Sequence, residues 1–353
     1  METRNKLKHI CQSNDLNRVI VGKGEVSSLY VLKTFGAIFV LLIHFALIYC
    51  QYLEPIYRLG VPIFFAIGGY FYYSKDVSKI KERSLKSLRK MMKLILFLNL
   101  VYAVLNYFMI DWKFNFTFEG IVRWITCGDN VSGHLWFLTS YARTIVFLWL
   151  LHIFHLRKLI YPLAILLAIF GFVGGQYAFL FPSLSLNDYN YLIPNVMGGY
   201  SFFVLGFWMK EYETFIMSKL NKKNTLILLG IAIVMCYIEH WLLILLGHYS
   251  GNTMISSYFL MTISIFLCLE YCDVGSKGVM SYFRCIGKYH SGNIYYWQFV
   301  VSLLLLNPLL SICPFFKNYC AVVIFFLLCL FSIALNFIQT KVGILLNLFK
   351  CSR

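Results

Sequence analysis

The sequence predicts an all-α membrane protein, a polytopic bundle of about ten transmembrane helices with both termini cytoplasmic. Three observations predict it. Apolar runs of about twenty residues, the length a helix needs to cross a bilayer, recur along nearly the whole chain. Composition agrees, with 60% hydrophobic and only 13% charged residues in 353 and a mean hydropathy of +0.71. Charge placement agrees as well. With both termini inside, all but Arg58, Lys113, Arg123, Arg143 and Lys317 of the 31 Lys and Arg fall on the cytoplasmic side, as the positive-inside rule requires.

Taken in order, residues 1–28 form a polar cytoplasmic tail, too long and too polar ahead of the first apolar run to read as a signal peptide. Spans are expected at 30–50, 56–74, 94–111, 134–153, 159–181, 193–209, 225–247, 254–272, 293–311 and 319–340. They make one membrane domain over 29–345, followed by a short cytoplasmic tail, 346–353. The net charge of +16 is mostly topology, and a nucleic-acid partner is not needed to explain it, because inner-leaflet lipid attracts the same residues. The eleven cysteines show no Cys-x-x-Cys pair and no Cys/His set at metal spacing, so no metal is expected. Cys50, Cys127 and Cys313 all fall near the outer face, where a disulfide could form without the sequence choosing the pair.

Ionisable groups inside apolar spans are costly and must face partners or water. Those deep enough to count are His44 in the first span, Arg143 and His152 in the fourth, and Glu239 with His240 in the seventh. Lys33 and His44 are eleven residues apart, which on a helix returns to within about 20° of the same face after a rise of about 16 Å. Both therefore point at one interior channel, Lys33 at its cytoplasmic mouth and His44 past the midplane. Taken alone, Lys33 also reads as a snorkelling anchor and His44 as an interhelical hydrogen-bond partner.

The wider pattern resembles membrane acyltransferase family 3, which includes bacterial O-acetyltransferases of O-antigen, capsule and exopolysaccharide. The resemblance rests on "GVPIFFAIGGYFYY" (Gly60–Tyr73), "GHLWFL" (Gly133–Leu138), "YSFFVLGFWMKE" (Tyr200–Glu211) and "IGKYHSGNIYYWQF" (Ile286–Phe299). The family's first span carries an Arg, ten residues and a His, matched here by Lys33 and His44. Its basic Arg-Arg-x-x-Arg is matched by Arg89, Lys90 and Lys93. This chain differs in having Lys at 33, Gly68 where the family usually has Ser, Gln298 where it usually has His, and Thr139 where many members have Arg, with Arg143 one turn deeper.

The resemblance implies acetyl-CoA as a cytoplasmic acyl donor and a saccharide or lipid-linked glycan hydroxyl as acceptor, in the inner membrane of a bacterium. The residues suit that chemistry. Lys33, Arg89, Lys90, Lys93 and Arg143 are the expected donor-binding cations, because clustered Lys and Arg give charge-assisted bonds to phosphate oxygens. Topology alone would also make residues 75–93 basic. His44 is the expected catalytic imidazole, as base, as oxyanion stabiliser or through an acyl-His intermediate. Glu239 either orients His44 or pairs with Arg143 or His240. His134 and Trp136 are either belt anchors or acceptor contacts, with the Tyr-rich "NDYNYLIP" (Asn187–Pro194) adding a stacking surface. A transporter or flippase for a glycan or lipid is the rival reading, since midplane charges also mark permeation paths. No internal repeat supports it.

Overall fold

The computed structural model describes residues 26–45, 47–48, 50–109, 117–118, 131–181, 192–219 and 221–350. Ten long helical segments follow one another: α1 (Ser27–His44), α2 (Gly60–Tyr72), α3 (Val77–Met109), α4 (Trp136–Ile153), α5 (Ile160–Val173), α6 (Leu192–Glu211), α7 (Lys222–Leu245), α8 (Ile255–Glu270), α9 (Val279–Ile312) and α10 (Cys320–Lys350). No strand occurs among the described residues.

Length and hydropathy qualify six of these segments to cross a membrane, those containing α1, α3, α4, α7, α9 and α10. About ten crossings were expected, so the finer count is not carried by these criteria. The physical reason is visible in α2 and α8, which have 13 and 16 residues. At 1.5 Å per residue both fall short of a hydrocarbon core of about 30 Å. Helix α10 also continues to Lys350, beyond the expected boundary at 345.

Local chemistry starts these helices. Asp76 opens α3 by accepting the Ser78 N–H at 2.9 Å, and Asn221 opens α7 by accepting from the Asn224 N–H at 2.9 Å. The basic stretch expected between spans is thus the first half of α3 itself. Helix α9 is interrupted by two π turns, Ile286–His290 and Ser302–Leu306. Pro308 follows the second, and its missing N–H leaves the Leu304 carbonyl without its usual donor.

Packing depends on close backbone approach, since apolar side chains gain little from leaving lipid for one another. Helices α2 and α6 are seated on each other through two glycines: a Cβ added at Gly69 would overlap the Phe203 carbonyl, and one at Gly206 would overlap the Ala66 carbonyl. Helix α1 lies inside the bundle, against α2, α8, α9 and α10. Thr34 donates to the Phe283 carbonyl at 2.5 Å and Ser28 to the Cys268 carbonyl at 2.5 Å, which ties α1 to α9 and α8. Apolar side chains face outward on α3 (Leu96, Leu100, Val104), α7 (Ile227, Ile231, Ile238) and α10 (Phe326, Leu330), as a lipid-facing ring would. Cys50 and Cys313 are free thiols, and Cys127 lies outside the described residues.

Candidate active site

Helix α1 runs through the interior, and its two ionisable side chains, Lys33 and His44, each line a cavity. They open onto two spaces, not onto the single channel that their spacing predicts. Lys33 lines a cavity of about 300 Å³ with Tyr30, Gly68, Met91, Tyr141 and Tyr296 among its walls. His44 lines another of about 220 Å³ with Arg58, His134, Trp136, Asn252 and Thr253. Tyr295 faces both.

An aromatic wall divides the two. Phe64 lines the Lys33 side and Phe65 the His44 side. Phe137 meets Phe65, Tyr295 and Phe64 at ring-centroid distances of 4.8, 5.2 and 5.9 Å, mostly edge to face. These rings come from α2, α4 and α9, so the wall exists only once three separate stretches of chain have packed. Tyr295 is held in it by a hydrogen bond from its hydroxyl to the His134 carbonyl.

On the Lys33 side the ammonium sits 5.9 Å from the Phe64 ring centroid, within cation–π range. Lys90, exposed on α3, is close enough to act electrostatically on Lys33. Arg89 and Lys93 are exposed on the same helix and do not themselves line the cavity. Lys288, which sequence reasoning did not select, lies 5.7 Å from the Tyr30 ring centroid and so flanks the same cavity. Its one signal in the sequence was its place in the stretch Ile286–Phe299. Gly68 has a local cause: a Cβ there would come within 2.6 Å of the Tyr141 hydroxyl, so the space a serine would use is already filled.

On the His44 side, His44 ends α1 and its side chain is exposed. His44 and His134 both pack on Phe299, at centroid distances of 5.3 and 4.7 Å. His134 is buried at 4% exposure, with Nδ1 at 2.8 Å from the Ser132 hydroxyl. Its Nε2 makes no hydrogen bond of good geometry. Arg58 was counted in the sequence only as an outside charge, yet it lines this cavity. Its Nε and Nη2 donate to Glu54 Oε1 at 3.0 and 2.6 Å. Gly251, at φ +73°, lies against that guanidinium, where any Cβ would crowd it.

Two expected site residues are elsewhere. Glu239 does not lie beside His44: its carboxylate accepts the Ile255 and Ser256 N–H groups at 3.1 and 2.8 Å. It supplies the cap that α8 lacks at Met254. The donors it meets belong to a helix start, not to an imidazole. Arg143 turns back along α4, with Nε on the Thr139 carbonyl at 3.2 Å and Nη2 on the Thr139 hydroxyl at 3.3 Å. It is not among the residues lining either cavity. The segment Asn187–Pro194, expected to add a stacking surface, falls mainly outside the described residues.

Comparison with known proteins gives one family and no individual relatives: no curated protein and no solved structure matches. A family model described as an acyltransferase domain matches residues 26–338, which takes in all of α1–α9 and both cavities. The helices long and apolar enough to cross a bilayer and the match over most of the chain agree: the protein belongs to membrane acyltransferase family 3.

Proposed function

We propose that this membrane acyltransferase moves an acetyl group from acetyl-CoA, taken up at the Lys33 end, to a hydroxyl of a cell-envelope saccharide in the His44 cavity. The observation that carries the reading is the pair of cavities at opposite ends of α1, separated only by side chains. A donor with an anionic head and a long thin arm suits the first cavity, and an acceptor rich in hydroxyls suits the second. Lys33, Lys90 and Lys93, with Arg89, contact the phosphates. The rise of about 16 Å from Lys33 to His44 is of the order of the pantetheine arm's reach. Tyr295 swings aside to admit the thioester.

In the His44 cavity the sugar hydroxyl oxygen attacks the thioester carbonyl carbon while His44 takes its proton. The carbonyl π pair moves onto oxygen. Collapse of that intermediate breaks the C–S bond, and the His44 proton passes to the departing CoA sulfur. Trp136 stacks on a sugar face, and Asn252 and Thr253 bond its hydroxyls. We place both termini in the cytoplasm of a bacterium, about ten crossings in the inner membrane, and no metal in the reaction. A reporter fused after Arg353 is expected to read cytoplasmic; an external reading removes one crossing.

The test uses the purified, reconstituted protein with acetyl-CoA and envelope saccharide, and reads the saccharide mass for an added acetyl group. Lys33→Ala should raise the KM for acetyl-CoA about tenfold or more, the loss of one charge-assisted contact, with kcat retained. Transfer that proceeds normally in Lys33→Ala and in His44→Ala would refute the assignment of both cavities.

A further inference from the structure

His134 carries more than an acceptor contact would explain. Its ring is buried beside the same cavity as His44, and both imidazoles pack against Phe299. One ring nitrogen has a well-formed hydrogen bond and the other has none: Nδ1 meets Ser132 Oγ at 2.8 Å, while Nε2 makes none of good geometry and only the Tyr296 backbone acts on the ring. A buried polar atom left unpaired is destabilising, and such atoms concentrate where chemistry uses them. Packing alone would be served as well by a phenylalanine, since Tyr102, Tyr295 and Phe299 surround the ring. A phenylalanine would leave Ser132 without its ring partner, while its backbone carbonyl would still accept from Tyr295.

We infer that His134 is a second catalytic imidazole, whose Nε2–H donates a hydrogen bond to the thioester carbonyl oxygen as that oxygen becomes an oxyanion. This role rests on the acetyl transfer proposed above. Ser132 is the positioning residue: when its hydroxyl donates to the Nδ1 lone pair, the single ring proton of a neutral imidazole resides on Nε2. Arg58, the other strong donor lining the cavity, has Nε and Nη2 engaged by Glu54. The proton balance is unchanged by this role. His44 takes the sugar proton and returns it to the sulfur, while His134 keeps its own proton throughout and only strengthens its hydrogen bond as charge develops.

The experiment compares His134→Phe, His134→Gln and Ser132→Ala in the reconstituted protein, with radiolabelled acetyl-CoA and envelope saccharide as substrates. Phenylalanine keeps the bulk of the ring and removes the donor, whereas the glutamine amide offers an N–H near the place of Nε2. His134→Phe should lower kcat about 100-fold, the usual cost of one oxyanion donor, with the KM for acetyl-CoA unchanged. His134→Gln should recover at least about tenfold of that loss, and Ser132→Ala should lose less than His134→Phe, again in kcat. Acetyl-CoA affinity reports folding in each variant. Equal losses in His134→Phe and His134→Gln, or near-normal turnover in His134→Phe, would overturn the donor role while an active wild type leaves the transfer reading standing. A wild type that binds acetyl-CoA and acetylates nothing would overturn the transfer reading itself, and this role with it.

Discussion

The Lys33 cavity is walled by aromatic rings and a few aliphatic side chains around one ammonium group, whereas the His44 cavity holds two imidazoles, a guanidinium, an indole and the polar side chains of Asn252, Thr253 and Ser257. Their volumes are similar, about 300 and 220 Å³, so size does not distinguish them. Their chemistry does. Rings and one cation grip a thin apolar arm and the anionic end behind it, without demanding many hydrogen bonds. Several short polar side chains beside an indole match a molecule that presents hydroxyls at many angles and one flat face. One helix serves both because its ends lie on opposite sides of the Phe64–Phe137–Tyr295 wall.

The contrast breaks first at His44. His44→Ala should cut acetyl transfer at least about 100-fold while acetyl-CoA affinity is preserved; a matching fall in affinity would mean that the two cavities act as one donor site. Next in size is Lys90→Ala with Lys93→Ala. Two charge-assisted contacts made by exposed cations, worth up to about 1 kcal/mol each, would be lost, so affinity for acetyl-CoA should drop by about tenfold, with turnover at saturating donor little changed. Unaltered affinity in calorimetry would make α3 basic for topology alone. Tyr295→Ala should join the cavities and let water reach the thioester, raising acetyl-CoA hydrolysis without acceptor by several-fold, on the order of 5. A hydrolysis rate equal to wild type would show that the wall does not exclude water. The smallest effect is expected from Gly68→Ser, which crowds the Tyr141 hydroxyl. It should weaken donor affinity about threefold, and a Tyr141→Phe second change should recover only part of the loss, because the ring Cε2 that remains is itself 2.8 Å from the added Cβ.

The helices were legible because lipid imposes length and hydropathy on any segment that crosses it. The spacing of Lys33 and His44 was legible because helical geometry converts eleven residues into a common face. The wall was not, since Phe64, Phe137 and Tyr295 meet only through tertiary packing of three helices. Glu239 shows the limit of reading charge by depth: a buried carboxylate needs donors, and the start of α8 offers backbone N–H groups that no sequence pattern points out. Arg58 was assigned to topology because an outside cation needs no further reason. Its place in the cavity depends on Gly251, nearly two hundred residues away.

The mutual seating of Gly69 on Phe203 and of Gly206 on Ala66 also sets a schedule for biogenesis. The two faces are separated by more than a hundred residues of chain. When α2 leaves the ribosome, the helix that will cover its glycine face has not been synthesised. That face stays open to lipid or to insertion machinery until α6 arrives, and only then can the backbones close. A nascent chain halted between the two therefore lacks this reciprocal glycine contact, and quality-control proteases should distinguish it from the finished enzyme on that ground alone.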